Sequence, residues 1–181
     1  MSILDLSLLI IIIVLILMSG FLSGSETAIT AISKPRIISK LKKGSKNAEY
    51  VKKIIDDKES IISSLLLSNN LVNILASSLA TAFFYNLFGV TGIFYATLLM
   101  TILLVIFAEV LPKTYAINKP TRTALIIGPF IYYLDKLLSP FVFVINLIVK
   151  MIIKVKQPND LKLNDEQSEE ELQGVIDLYK T

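Results

Sequence analysis

The chain has 181 residues, 54% of them hydrophobic and 18% charged, with a formal net charge of +3. A soluble domain carries about 25% charged and about 45–50% apolar residues. Mean hydropathy here is +0.67, and the apolar surplus sits in long Ile/Leu/Val/Phe runs that no water-facing surface tolerates. These figures exclude a soluble globular protein and predict an all-α integral membrane protein.

The first predicted span runs from Ile3 to about Ser33. It is apolar through Met18 and then turns small and polar, through Ser19, Gly20, Ser23, Gly24, Ser25, Glu26 and Thr27. There is no Lys or Arg before Lys34 and no A-x-A site after the apolar run. The segment therefore reads as an uncleaved helix rather than a signal peptide. A basic loop follows, with Lys34, Arg36, Lys40, Lys42, Lys43, Lys46, Lys52, Lys53 and Lys58.

The second span runs from Ile61 to Phe88, and the third from about Val90 to Leu111. Each has about the 20 residues needed to cross a bilayer. The fourth apolar stretch, about Ala124 to Val155, is interrupted by Gly128-Pro129, Asp135-Lys136 and Pro140. A proline removes a helix hydrogen bond and usually kinks the helix, so this stretch is expected to be a kinked juxtamembrane helix pair. A full fourth crossing is the alternative.

Charge sets the orientation. The loop before the second span and the loop after the third (Lys113, Lys119, Arg122) lie on one side, and the opposite side has no Lys or Arg. The positive-inside rule then places the N-terminus outside and the basic loops in the cytoplasm. Keeping Lys150, Lys154, Lys156 and Lys162 inside also favours three spans over four. The expected organisation is a membrane domain over 1–156 and a cytoplasmic helix over 157–181. In the latter, Ser168-Glu-Glu-Glu171 forms a capping box ahead of Leu172, Val175, Ile176 and Tyr179 at helical spacing.

His, Cys and Trp are absent. That removes the commonest general base and any thiolate metal site. Ser23 has no His base and every Lys lies outside the three spans, so no enzyme activity is expected. A nucleic-acid partner is not expected either. What remains is oxygen chemistry, suited to hard cations such as Mg²⁺, Ca²⁺ and Na⁺.

Polar groups within a span are costly and mark functional sites by default. Ser19 and Ser23 are four apart and share a helix face, as do Asn69 and Asn73. At about 1.5 Å per residue, Ser23 and Asn69 each lie roughly 16 Å inside the basic boundary, near the midplane. Glu109 lies about 6 Å from Lys113 by the same ruler. Pro112 has no N–H, so the α-helical partner of the Ala108 carbonyl is missing beside Glu109. Such a carbonyl persists in a membrane only where something satisfies it. The bland readings are that Gly20 and Gly24 form a G-x-x-x-G packing surface with the serines along for the ride, and that the asparagines are interhelical glue.

The runs Phe21-Leu-Ser-Gly-Ser-Glu-Thr-Ala28, Leu67-Ser-Asn-Asn-Leu-Val-Asn-Ile74 and Phe107-Ala-Glu-Val-Leu-Pro-Lys-Thr114 resemble the three hallmark segments of the CNNM/CorC family. Its transmembrane module is the domain of unknown function 21. The resemblance covers about residues 3–155. It implies a homodimeric Mg²⁺ transporter in the cell (inner) membrane, usually an exporter and in some members coupled to Na⁺. It also implies an ion site carried here by Ser19, Ser23, Asn69 or Asn73, Glu109 and the carbonyl of Ala108, where many relatives have Gly. Gly20, Gly24 and Pro112 are the packing and hinge residues. Family members normally continue into a paired CBS module that binds adenine nucleotide, toward which the 157–181 helix would lead. The competing expectation is a non-transporting dimeric module that anchors a cytoplasmic sensor and regulates another channel or pump.

Overall fold

The computed structural model describes residues 3–153, and every described element is helical. The expected helix over 157–181 lies outside the described residues. Helix α1 spans Ile3–Ala31, α2 Lys34–Lys42, α3 Lys46–Asp56 and α4 Lys58–Phe88. Helix α5 spans Val90–Leu103 and passes through a π-helical stretch, Leu104–Val110, into α6, Leu111–Asn118. Helix α7 spans Pro120–Ile153. Residues through Phe143 form one compact unit, and a second begins at Val144.

Four helical stretches are long and apolar enough to cross a membrane: Asp5–Ala31, Lys58–Phe88, Val90–Asn118 and Pro120–Ile145. The sequence suggested three spans and a kinked helix pair. The fourth stretch is instead one continuous helix with Pro129 and Pro140 inside it. The local reason is visible at Pro129. Its missing N–H takes the helical donor from the Leu125 carbonyl, and Asn47 Nδ2 on α3 donates to that carbonyl at 2.8 Å.

The polarity of the unit is the reverse of a soluble domain. Leu17, Leu71, Ile74, Phe94 and Ile126 are among the large apolar side chains turned outward. Ser19, Ser23, Ser25, Ser64, Ser68 and Asn69 are buried. This arrangement suits a bilayer, where the outer surface meets hydrocarbon and polar groups must be satisfied internally.

Helices α1 and α4 form the central antiparallel pair. Ile12 and Ile16 pack with Ala76, Ala80 and Phe83 at one end. Leu22 and Ile29 cluster with Ile61 and Leu65 at the other. The α4–α5 corner is tight: Gly89 has φ +62°, and a Cβ on Gly92 would fall 2.1 Å from the Phe84 carbonyl oxygen.

The basic loop is itself structured. Helix α3 buries Ala48, Val51 and Ile54 and turns its charged residues outward. That is the stripe expected of a surface helix. Gly128 of α7 accepts its closest approach, with Val51 Cγ2 2.8 Å from where a Cβ would stand. Tyr50 reaches Tyr132 edge-on at 5.6 Å between ring centroids.

Candidate ion-binding site

Two antiparallel helices bring the predicted polar residues to one seam. Ser19 Oγ on α1 donates to Asn69 Oδ1 on α4 at 2.6 Å, and both residues are buried. This bond fixes the register. Ser23 and Asn73 each lie four residues further along the chain, roughly 6 Å along the helix axes. They sit on opposite sides of the Ser19–Asn69 contact because the helices are antiparallel. The four oxygens therefore form a ladder along the seam rather than a ring. Its two outer members are unsatisfied: Ser23 Oγ and Asn73 Oδ1 are buried with no hydrogen-bond partner. Asn70 is exposed and takes no part.

The third helix meets α1 through its irregular stretch. The Leu111 N–H donates to the Ile106 carbonyl, five residues back rather than four. In that π register the donor due to the Phe107 carbonyl is residue 112, which is Pro112 and has no N–H. The Phe107 carbonyl is thus left without a helical donor from either position 111 or position 112. Its oxygen lies 2.7 Å from where a Cβ on Gly20 would stand, with Ala108 Cα at 3.7 Å. Gly20 follows Ser19 directly in α1 but points about 100° around the helix from it, so the released carbonyl lies over the neighbouring face of α1. Gly24 continues the same contact, its missing Cβ facing Pro112 at 3.2 Å. The G-x-x-x-G is spent within the chain, on the π-helical stretch and α6.

Ala108 is fully buried. Its α-helical donor is also residue 112, and the Lys113 N–H is the donor available to it in the π register. Phe107 was missed in the sequence reading because counting four residues back from Pro112 gives Ala108. Glu109 is exposed on the single chain and forms no ion pair among the described residues, with Lys113 or otherwise. The structure thus brings Ser19 to Asn69, and Gly20 to the Phe107–Ala108 backbone, on neighbouring faces of α1. It sets Ser23 and Asn73 one turn to either side of the Ser19–Asn69 contact and turns Glu109 to the surface.

A second polar contact was not foreseen. Ser64 Oγ, on a buried residue of α4, donates to Asp135 Oδ1 of α7 at 2.5 Å, and Ser60 Oγ approaches the same oxygen at 3.5 Å. Asp135 had read only as an interruption of an apolar run. The signal for its partner was the Ser60/Ser64 spacing of four.

Comparison with known proteins agrees with this architecture. The family described as the cyclin M transmembrane N-terminal domain matches residues 10–181. The chain is 35% identical over 159 residues to the UPF0053 inner membrane protein YfjD of Escherichia coli, covering 87% of this chain and 37% of that protein. A UPF0053 protein of Haemophilus influenzae is 31% identical over 173 residues, covering 94% of this chain and 40% of its own length. The UPF0053 protein YhdP of Bacillus subtilis is 27% identical, covering 98% of this chain and 44% of its own length. The chain thus spans less than half the length of these relatives. With the match to nearly its whole length and four apolar helices, the chain is a multi-pass membrane protein that belongs to the cyclin M (CNNM) transmembrane domain family.

Proposed function

We propose that this domain transports Mg²⁺, as an exporter coupled to Na⁺, and works as a homodimer with its basic loops in the cytoplasm. One observation carries the reading: buried oxygens without partners, Ser23 Oγ and Asn73 Oδ1, flank a Ser19–Asn69 contact, on a helix whose Gly20 meets a carbonyl that Pro112 has released. Uncompensated buried polar atoms cost about 1–3 kcal/mol each, so several along one seam favour a polar passenger. Hydroxyl, amide and carbonyl oxygens suit Mg²⁺, which takes six oxygens at about 2.1 Å. Ser19 Oγ and Asn69 Oδ1 at 2.6 Å need part only slightly to serve as adjacent ligands of one such ion. Ser23 and Asn73 then form the steps on either side of it.

Glu109 supplies the charge that offsets dehydration. Its exposure on the single protomer is consistent with a partner or a water-filled cavity facing it. Release requires the seam to open. A paired CBS module following this domain would be placed to drive that movement.

The reading as a non-transporting module is less well supported, because it gives no role to the buried, unpartnered Ser23 Oγ and Asn73 Oδ1. Purified protein in liposomes tests both. Mg²⁺ flux without any partner protein, lost in Glu109→Ala and Asn73→Ala, supports the transporter. Flux unchanged in both variants, or no flux at all, overturns it.

A further inference from the structure

The geometry points to a binding pocket for an anionic phospholipid headgroup between α2, α3 and the start of α7. Lys40, Asn47, Thr121, Arg122, Leu125 and Ile126 line a cavity of about 450 Å³. It holds two cations and no carboxylate. Neither Lys40 nor Arg122 forms an ion pair among the described residues, where the Lys52–Asp56 contact is the only one.

Three further observations define the ligand. Thr121 Oγ1 is buried with no hydrogen-bond partner, so the wall carries an unspent hydroxyl. Thr121 and Arg122 stand in the first turn of α7, where backbone N–H groups lack helical acceptors and the helix dipole is positive. Asn47 Nδ2 already spends one of its two N–H groups on the Leu125 carbonyl. Its role is to hold the pocket's wall in place. The donors that remain, one guanidinium, one ammonium, a hydroxyl and amide N–H groups, match a phosphate.

The apolar side of the pocket decides between a lipid and free phosphate. Leu125 and Ile126 form one wall, and Ile126 is 66% exposed. A soluble anion has no use for that wall, whereas a phospholipid places its glycerol and acyl carbons there. The pocket also opens where basic helices α2 and α3 flank the apolar spans, which is the level of the headgroups. This inference does not rest on the transport reading.

Native mass spectrometry of the full protein tests it, titrating phosphatidylglycerol against phosphatidylcholine of the same acyl chains. Lipid that survives gas-phase activation should be phosphatidylglycerol. Lys40→Ala/Arg122→Ala should weaken it about tenfold or more, and Thr121→Val should also weaken it while keeping the side chain's shape. Lys42→Ala/Lys43→Ala, equal in charge loss but outside the pocket, should leave it unchanged. An equal fall in both double variants would mean a diffuse basic belt and would overturn the proposal, as would no preference between the lipids. Binding of inorganic phosphate alone with the same residue dependence, without lipid binding, would overturn the lipid assignment. Lys40 and Arg122 are exposed, and the single Gln substitutions give the same comparison should the double variant fold poorly.

Discussion

The Phe107 carbonyl oxygen lies against Gly20, 2.7 Å from where any Cβ at that position would stand. Two features of the sequence meet at this contact. Pro112 removes the donor that the carbonyl would have in a π register, and Gly20 removes the side chain that would keep it away from α1. The contact sets a released backbone oxygen against α1, one residue along the chain from Ser19, which donates to Asn69.

Gly20→Ala should therefore be more damaging than Gly24→Ala. The first places a methyl group 2.7 Å from backbone, while the second meets Pro112 at 3.2–3.3 Å. Overpacking of this kind costs about 1–3 kcal/mol, and Gly20→Ala should lie at the upper end because backbone yields least. Thermal unfolding of the two variants in detergent gives the order. An equal or reversed order would count against the close approach of the π-helical stretch.

Pro112→Ala separates stability from function. It supplies an N–H at residue 112 that can satisfy the Phe107 carbonyl in the π register, or the Ala108 carbonyl in the α register. An interior helix proline costs about 3 kcal/mol, so the variant should be at least as stable as the native protein. Mg²⁺ flux should nevertheless fall about tenfold, the cost of roughly one hydrogen-bond equivalent of ligand. Flux at the native level would show that the released carbonyl is structural only.

The Asn47–Leu125 hydrogen bond gives a coupled pair. Asn47→Ala should cost about 1 kcal/mol by leaving the Leu125 carbonyl unsatisfied. Pro129→Ala restores the helical donor to the same carbonyl, so Asn47→Ala should cost little in that background. A double-mutant cycle on unfolding free energies measures the coupling. Additive effects would mean that the side-chain amide does not replace the proline's missing bond.

On α3, the Lys52 ammonium donates to Asp56 Oδ2 at 2.8 Å. That hydrogen bond, with the charges of Lys52 and Lys34, holds the Asp56 carboxyl below its ordinary value of 3.8. A depressed carboxylate contributes stability above its unfolded pKa and loses it as pH falls through the folded one. The pair is exposed, so its effect should be confined to the titration itself. Lys52→Ala should move the Asp56 midpoint upward by NMR with no measurable change in Tm at neutral pH. An unmoved midpoint would contradict the pairing.

Much of this was legible in residue order. Long apolar runs and the placement of Lys and Arg located the three spans α1, α4 and α5–α6. The i, i+4 spacing placed Ser19 with Ser23 and Asn69 with Asn73 on single helix faces. Spacing could not give the register between helices, so the ladder of Asn73, Ser19–Asn69 and Ser23 emerged only once one hydrogen bond was fixed. The π-helical stretch also escaped, since one residue of helix register changes which carbonyl Pro112 releases. The 124–155 stretch was read as a kinked helix pair because proline's penalty is local, while its remedy, Asn47, stands 78 residues from Leu125. A separation of 71 residues likewise hid Ser64 from Asp135.

The most direct test of the central claim is a high-resolution structure of the protein in Mg²⁺. The account predicts a cation between Ser19 Oγ and Asn69 Oδ1, with each oxygen about 2.1 Å from it and the 2.6 Å hydrogen bond between them broken. A transported ion held elsewhere, with that hydrogen bond intact, would contradict it.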